Sequence, residues 1–223
     1  MPRGTLSIPA CLALLASLAG GVAAAEDTGW RKLLERDGIL VSTREEPGRD
    51  LPTFRGQGQL EAPVLHVLAV LLDDARAGEW AKGADASRVV RRIDAHTQIV
   101  YARSRQPWPV QDRDVVMKRR VEVLKPNEVY RVHLVCVPGE LPASEGAIRI
   151  RRCETTFVLR ALTPNRTAID YRMHADPGGN NPECFVRAAS REIPLDTLSN
   201  LRRQLARTRG RYEQAVAQWT QVL

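Results

Sequence analysis

Six strand-like segments follow one another through short connections, and then a single amphipathic helix ends the chain. The segments are Val89–Ile93, Thr97–Arg105, Asp114–Leu124, Val129–Val137, Ala147–Leu159 and Thr167–His174. Lys125-Pro126-Asn127 and Thr163-Pro164-Asn165 supply turn chemistry between them. Strands joined this closely predict an antiparallel sheet. From Pro194 onward, Leu195, Leu198, Leu201, Leu205, Tyr212, Ala215, Trp219 and Val222 share one helical stripe, with Arg202, Arg203, Arg209 and Glu213 off it. Phe185, Ala188 and Ala189 carry the same period backwards, so Pro194 is expected to kink this helix rather than start it. One helix covers a whole sheet only if the sheet is strongly curved, and a curved sheet around a helix can leave space between them. The expected class is α+β.

The space has a marker. In Asp114–Leu124 the apolar residues Val115, Met117, Val121 and Val123 fall on one face, and Val116, Lys118, Arg120, Glu122 and Leu124 on the other. Arg119 stands in the middle of the apolar face. A guanidinium keeps its proton, and burying it without a partner is prohibitively costly. It must meet a carboxylate, carbonyls, water, or the polar end of a bound molecule. The last case makes this strand the wall of a ligand cavity.

Upstream, Trp30–Asp37 reads as a short helix stopped by Gly38, followed by strands over Ile39–Arg44 and Thr53–Glu61. Ala62-Pro63 opens a helix carrying Leu65, Leu68, Ala69 and Leu72, and Asp73–Trp80 continues as a short helical or turn segment. Residues 1–25 read as a cleaved export signal: Arg3, an apolar Leu12–Val22 too short to span a bilayer, then Ala23-Ala24-Ala25. A lipoprotein signal acylated at Cys11 is the rival, with a poor match in Ile8-Pro9-Ala10. Residues 26–223 suit one domain, periplasmic or secreted, with no repeat or linker dividing it. The chain is basic, with a formal net charge of +7 dominated by arginine. For an exported protein that favours anionic membrane surfaces over nucleic acid, or a solvated surface with no partner. Of the remaining cysteines Cys136, Cys153 and Cys184, the first two fall on neighbouring strands. With Pro138–Glu145 as the connecting loop, Cys136 would face a residue near Ala147 and lie out of reach of Cys153. No Cys136–Cys153 bond is therefore expected, and a Cys153–Cys184 bond stays open.

Three short motifs, in order and at suitable separation, carry a resemblance: Asp73–Trp80 (DDARAGEW), residues 107–114 (PWPVQDRD) and residues 176–182 (DPGGNNP) before the final helix. With the secondary structure between them, the chain from Trp30 to its last helix resembles the START domains, the lipid-transfer domains related to steroidogenic acute regulatory protein. The resemblance implies a helix-grip fold with one lipid-sized tunnel between sheet and helix. It places Arg119 where the family carries a cavity arginine, and makes Trp108 and Pro109 part of a gate beside the tunnel mouth. Cys184 and Arg187 depart from the family's usual Trp and Asn at the start of the closing helix. An acidic partner for Arg119 is not placed; Glu154 and Asp170 are candidates.

On this reading the protein holds one hydrophobic ligand in an internal tunnel, with lipid transfer between membranes as the extension of that role. The ligand-contacting candidates are Tyr101, Val115, Met117, Arg119, Tyr130, Tyr171, Met173, Leu198, Leu201 and Leu205. Arg119 has two readings, a structural arginine paired internally or a ligand-facing one, and Trp108 either fills the core or belongs to the gate. Arg113 and Asp114 read as a structural pair. An enzyme on the same fold, such as a cyclase or aromatase, is the alternative, and Tyr101, Tyr130 and Tyr171 would be its plausible acid or base groups. An interaction module with a filled interior is the third reading. The histidines His66, His96, His133 and His174 form no metal-ligand spacing, and no cofactor or metal is implied.

Overall fold

The computed structural model describes residues 29–81, 83–179, 191–214 and 216–217. The export signal over 1–25, Cys184, Arg187, the backward extension of the last helix through Phe185 and Ala189, and Trp219 and Val222 lie outside the described residues.

Ten strands form one sheet: β1 (Arg31–Arg36), β2 (Ile39–Arg44), β3 (Thr53–Leu60), β4 (Ala84–Arg92), β5 (Thr97–Ser104), β6 (Asp112–Lys125), β7 (Val129–Cys136), β8 (Ala147–Arg149), β9 (Arg152–Thr163) and β10 (Arg166–Asp176). The order across the sheet is β1-β2-β3-β10-β9-β7-β6-β5-β4, antiparallel throughout, with the short β8 paired parallel to β6 off this path. Among the described residues, the α-helices α1 (Val64–Leu72) and α2 (Ile193–Arg207) and a 3-10 turn over Asp74–Glu79 lie against it. The α+β architecture expected from the strand run and final helix is the one observed.

The segment Trp30–Asp37 is not a helix. Arg31–Arg36 pairs with Ile39–Arg44, and Arg36 faces Ile39 across a two-residue loop. Asp37 and Gly38 both have positive φ, 51° and 68°. That is the Asp-Gly hairpin turn, whose twist matches the strands it joins. Read as a helix stop, Gly38 hides the turn it makes with Asp37.

The final helix is shorter than its stripe. Pro194 sits in its first turn and starts α2 instead of kinking it. Thr208 caps its end and Gly210 takes a φ of +78°, a left-handed conformation that an α-helix cannot continue through. Tyr212 therefore belongs to the turn after the helix, although it still packs against the same core. Gly56 is where α2 presses on the sheet: a Cβ there would lie 3.0 Å from Pro194 Cβ and 3.1 Å from a Leu198 methyl. The glycines that weaken β3 by propensity are what let the helix approach.

Between β7 and β9 the chain makes an excursion over Val137–Arg151 instead of a simple hairpin. Its strand β8 leaves the β7 side and pairs with the start of β6, Asp112 with Ala147 and Asp114 with Arg149. Strand β9 thus begins at Arg152, with Val135 opposite Glu154. One rung further, Cys136 meets Cys153 at a Cα separation of 5.1 Å, and the two form a disulfide. The expectation of no such bond failed because it assumed a hairpin with Ala147 opposite Cys136. The pairing also excludes a Cys153–Cys184 bond.

The excursion folds over the outer face of the sheet and buries Asp114 and Val116 there. The Arg149 guanidinium donates to both Asp114 carboxylate oxygens at 2.8 Å and to the carbonyls of Pro138, Leu141 and Pro142. Arg113, one residue away, points to the inner face and donates to the carbonyls of Pro177 and Gly178. Arg113 and Asp114 are both structural, but not as a pair, because adjacent strand residues face opposite ways. Burial opposes ionisation of Asp114, yet Arg149 and Ser144 outweigh it and hold the carboxyl below its usual range. A depressed carboxyl pKa contributes stability above the unfolded value, near 4, that is lost as pH falls through the folded value. Thermal unfolding followed from pH 6 to pH 2 should show that acid limb, and Asp114→Asn should lower stability at pH 6 and flatten the limb.

Candidate functional site: a sheet interior filled at one end

Cross-strand partners share a face, so the register divides the inner face into tiers. One tier runs Val123, Tyr130, Leu159, Ile169 and Gly58; the next runs Val121, Val132, Phe157, Tyr171 and Gly56. Apart from Val123, which is only partly buried, the apolar side chains of these two tiers are packed in one buried core with Leu195, Leu198, Leu201 and Leu205 of α2, Val64, Val67 and Leu68 of α1, and Trp80. Phe157 stacks on Tyr171 with ring centroids 4.6 Å apart, and Trp80 meets the Phe157 edge at 6.4 Å.

The third tier carries Gln98, Arg119, Leu134, Thr155, Met173 and Phe54. A fourth carries Val100, Met117, Cys136, Cys153 and Ala175, and beyond it stand Ala102 and Val115. Here the packing changes. Leu134, Met173, Met117, Val115, Cys136 and Cys153 all face inward and all stay partly accessible. At one end the interior is a buried core; at the other, partly accessible apolar side chains form a shallow trough beside the buried Phe54, Val100 and Arg119. The first tier of the trough is the one that holds Arg119.

Arg119 is 5% exposed and makes a two-pronged ion pair with Asp74, Nη1 to Oδ1 at 2.9 Å and Nη2 to Oδ2 at 2.8 Å. Nη2 also donates to Gln98 Oε1 at 2.6 Å. Three of its five N–H groups are engaged, leaving two without a partner among the described residues. Glu154 and Asp170 are not its partners: they lie on the outer face, where Glu154 pairs with Arg49 and His133, and Asp170 with Arg55 and Arg172. The true partner comes from the 3-10 turn. In that turn Asp74 holds Arg119 and Glu79 accepts from Gln204 of α2 at 2.8 Å. Asp73, just before it, accepts from the Tyr212 hydroxyl at 2.7 Å. One short segment ties the middle of the sheet, the last helix and the turn beyond it together.

The other candidates divide. Val115, Met117 and Met173 line the trough with Arg119. Leu198, Leu201 and Leu205 belong to the solid core. Tyr171 also does; its hydroxyl meets Thr197, and burial pushes the phenol above the ordinary tyrosine value. Tyr130 is buried in the tier beyond, with its hydroxyl accepting from the Asn127 amide at 2.9 Å. Tyr101 points outward and is hydrogen-bonded to Ser144 at 2.9 Å, because residue 101 falls between the inward-facing positions 100 and 102. The three tyrosines an enzyme reading would draw on are not brought together. Leu134, Gln98 and the disulfide are trough residues that the strand periodicity alone did not single out.

The trough opens at the end of the sheet where several segments gather. Trp108, in a cis peptide with Pro109, is 93% exposed there, so it does not fill the core. Val110 beside it is 40% exposed. A cleft of about 520 Å³ at the same end is lined by Arg49, Leu51, Arg151, the disulfide and Gly178–Gly179. Among the described residues, no group of three or more His, Cys, Asp and Glu side chains could hold a metal ion, and no helix is long and apolar enough to cross a membrane.

The sequence model of the START domain matches residues 21–210. An uncharacterized protein of Pseudomonas aeruginosa is 28% identical over 202 residues, covering 90% of this chain and 96% of that protein. The crystal structure of a STAR-related lipid transfer protein fragment from Xanthomonas axonopodis is similar, with a TM-score of 0.73 and 31% identity over 80% of this chain and 99% of that one. Human STARD10 shares the fold, with a TM-score of 0.76 and 18% identity over 87% of this chain and 80% of that one.

Breaking a buried ion pair by removing one partner strands the other charge, at a cost of about 3–5 kcal/mol, whereas replacing both by apolar groups is often neutral. In denaturant unfolding, Arg119→Leu should lose stability in that range, and the double variant Arg119→Leu/Asp74→Leu should regain most of it.

Proposed function

The chain belongs to the START domain family, and from that premise we propose that it is an exported lipid carrier. It holds one hydrophobic chain in the trough and exchanges it at a membrane surface. Lipid binding or transfer is the function the family relationship supports. The observation that carries the more specific reading is that the inward-facing apolar side chains Val115, Met117, Leu134 and Met173 stay partly accessible, whereas Phe157 and Tyr171 are buried. An acyl or polycyclic body laid against Val115, Met117, Leu134 and Met173 would be taken out of water at roughly 25 cal/mol per Å² of apolar surface. Its inner end would meet the two remaining N–H groups of Arg119. Because Asp74 already balances that charge, the pocket suits a neutral or zwitterionic polar end, a hydroxyl or carbonyl in particular, over a second full negative charge.

Two features support export and a membrane surface. A structural disulfide fits an oxidising compartment outside the cytoplasm. The fully exposed Trp108, with Val110 beside it and Arg105 and Arg151 at the same end, is the combination that seats in a lipid headgroup layer. The expected result of native purification followed by mass spectrometry is one co-purifying lipid or lipid-like molecule per chain, displaced on mixing with vesicles of mixed phosphatidylcholine and phosphatidylglycerol. Protein that is empty, and that takes up no lipid from those vesicles, would overturn the proposal. A bound molecule returned chemically altered would favour an enzyme.

A further inference from the structure

We infer that the Val137–Arg151 excursion, fastened at its base by the Cys136–Cys153 disulfide, is a redox-set latch on the backbone at Gly178–Gly179. The functional consequence rests on the reading above, in which ligand enters at this end of the trough. The latch itself rests on geometry alone.

Gly178 and Gly179 take positive φ values of 62° and 78°, so the chain turns sharply here on two residues without side chains. They lie in a notch. A Cβ on Gly178 would come within 3.3 Å of Ile148, and one on Gly179 within 3.0 Å of Ile148 and 3.5 Å of the Arg113 guanidinium. Ile148 therefore forms one wall of the notch and Arg113 the other. The hydrogen bonds from Arg113 to Pro177 and Gly178 are long, 3.3 and 3.4 Å, at the weak end of the range. The Asp176 carboxylate accepts from the Gly178 amide at 3.0 Å within the turn itself, and beyond that local bond the fit against Ile148 is tighter than the hold of Arg113.

Ile148 has no strong hold of its own. It is the middle residue of a three-residue strand that pairs only with the first residues of β6. What keeps that strand in place is the rest of the excursion: the Arg149–Asp114 clasp inside it and the disulfide across its base, which spans 17 residues. Such a crosslink restricts the conformations open to everything it encloses.

Both cysteines are partly accessible and line the same cleft as Pro177, Gly178 and Gly179, which admits a small reductant. A dithiol thiolate attacks one sulfur to give a mixed disulfide, and the second thiol of the dithiol displaces it. Two electrons and two protons pass to Cys136 and Cys153, now thiols, and the dithiol closes to its cyclic disulfide. With the base unfastened, β8 drifts from β6, Ile148 leaves the notch, and the glycine pair is free to move.

Amide hydrogen exchange tests this on the whole protein, oxidised and held reduced by dithiothreitol. Reduction should speed exchange in peptides covering 137–151 and in peptides ending at Gly178–Gly179 by about tenfold, as a local opening does, and leave β2, β3 and α2 unchanged. Ile148→Ala with the disulfide intact should speed the glycine pair alone. Faster exchange in 137–151 with Gly178–Gly179 unchanged, a general rise through β2, β3 and α2, or no effect of Ile148→Ala would each overturn the latch. Release of a fluorescently labelled fatty alcohol into vesicles should accelerate in the reduced protein. If the protein binds no lipid the carrier reading fails on its own, and the exchange rates still decide the latch.

Discussion

The ion pair between Arg119 and Asp74 is the constraint from which the rest of the interior follows. A guanidinium in the middle of an apolar sheet face has to be met, and the carboxylate that meets it comes from the turn between α1 and β4. Holding Asp74 over β6 brings that turn across the sheet toward its centre. Trp80 then plugs the core against Phe157, Glu79 reaches Gln204 of α2, and Asp73 takes the Tyr212 hydroxyl. A pair of this kind contributes little net stability, since desolvation offsets most of the attraction. What it supplies is position: it marks the level at which packing stops and the trough begins.

Stability and the proposed binding thus fall at different ends of one sheet. The tiers through Leu159 and Phe157, backed by both helices, form the conventional hydrophobic core. The tiers through Leu134 and Met117 leave apolar side chains partly accessible, a surface that a bound apolar chain would cover. The open end is reinforced by other means. Arg149 gathers three carbonyls and a carboxylate, Arg113 reaches across to the Pro177 backbone, and a disulfide closes the excursion. Polar clasps and a covalent bond replace the packing that a bound chain would occupy.

Much of this was legible in the sequence, and the remainder follows a physical pattern. Period-two alternation located Arg119 and its apolar face, because one strand's facing is a local property. Its partner was not locatable, since Asp74 lies 45 residues away on an irregular turn that no periodicity describes. Asp37-Gly38 carries a hairpin signal, but Trp30, Leu33 and Leu34 also fit a short amphipathic turn, and that local pattern makes Gly38 look like a helix end. The Cys136–Cys153 bond was missed because β8 pairs with β6, a long-range choice that moves the start of β9 past Arg151. Val116, assigned to the outer face, is buried all the same, since nothing in β6 itself announces the excursion folded over it. Tyr101 fails as a cavity residue on the same parity that succeeded for Arg119: it needed the β5 register, which only the pairing with β6 fixes.

The half-filled interior is tested most directly by locating a bound chain. Crystals of the protein loaded with a long-chain fatty alcohol brominated near its hydroxyl end, with data collected at the bromine absorption edge, would place that chain. The account predicts a bromine peak in the trough, within van der Waals reach of Met117, Leu134 or Met173, and none past the Phe157–Tyr171 stack. A trough occupied by the protein's own side chains, with bromine only on the outer surface, would contradict it.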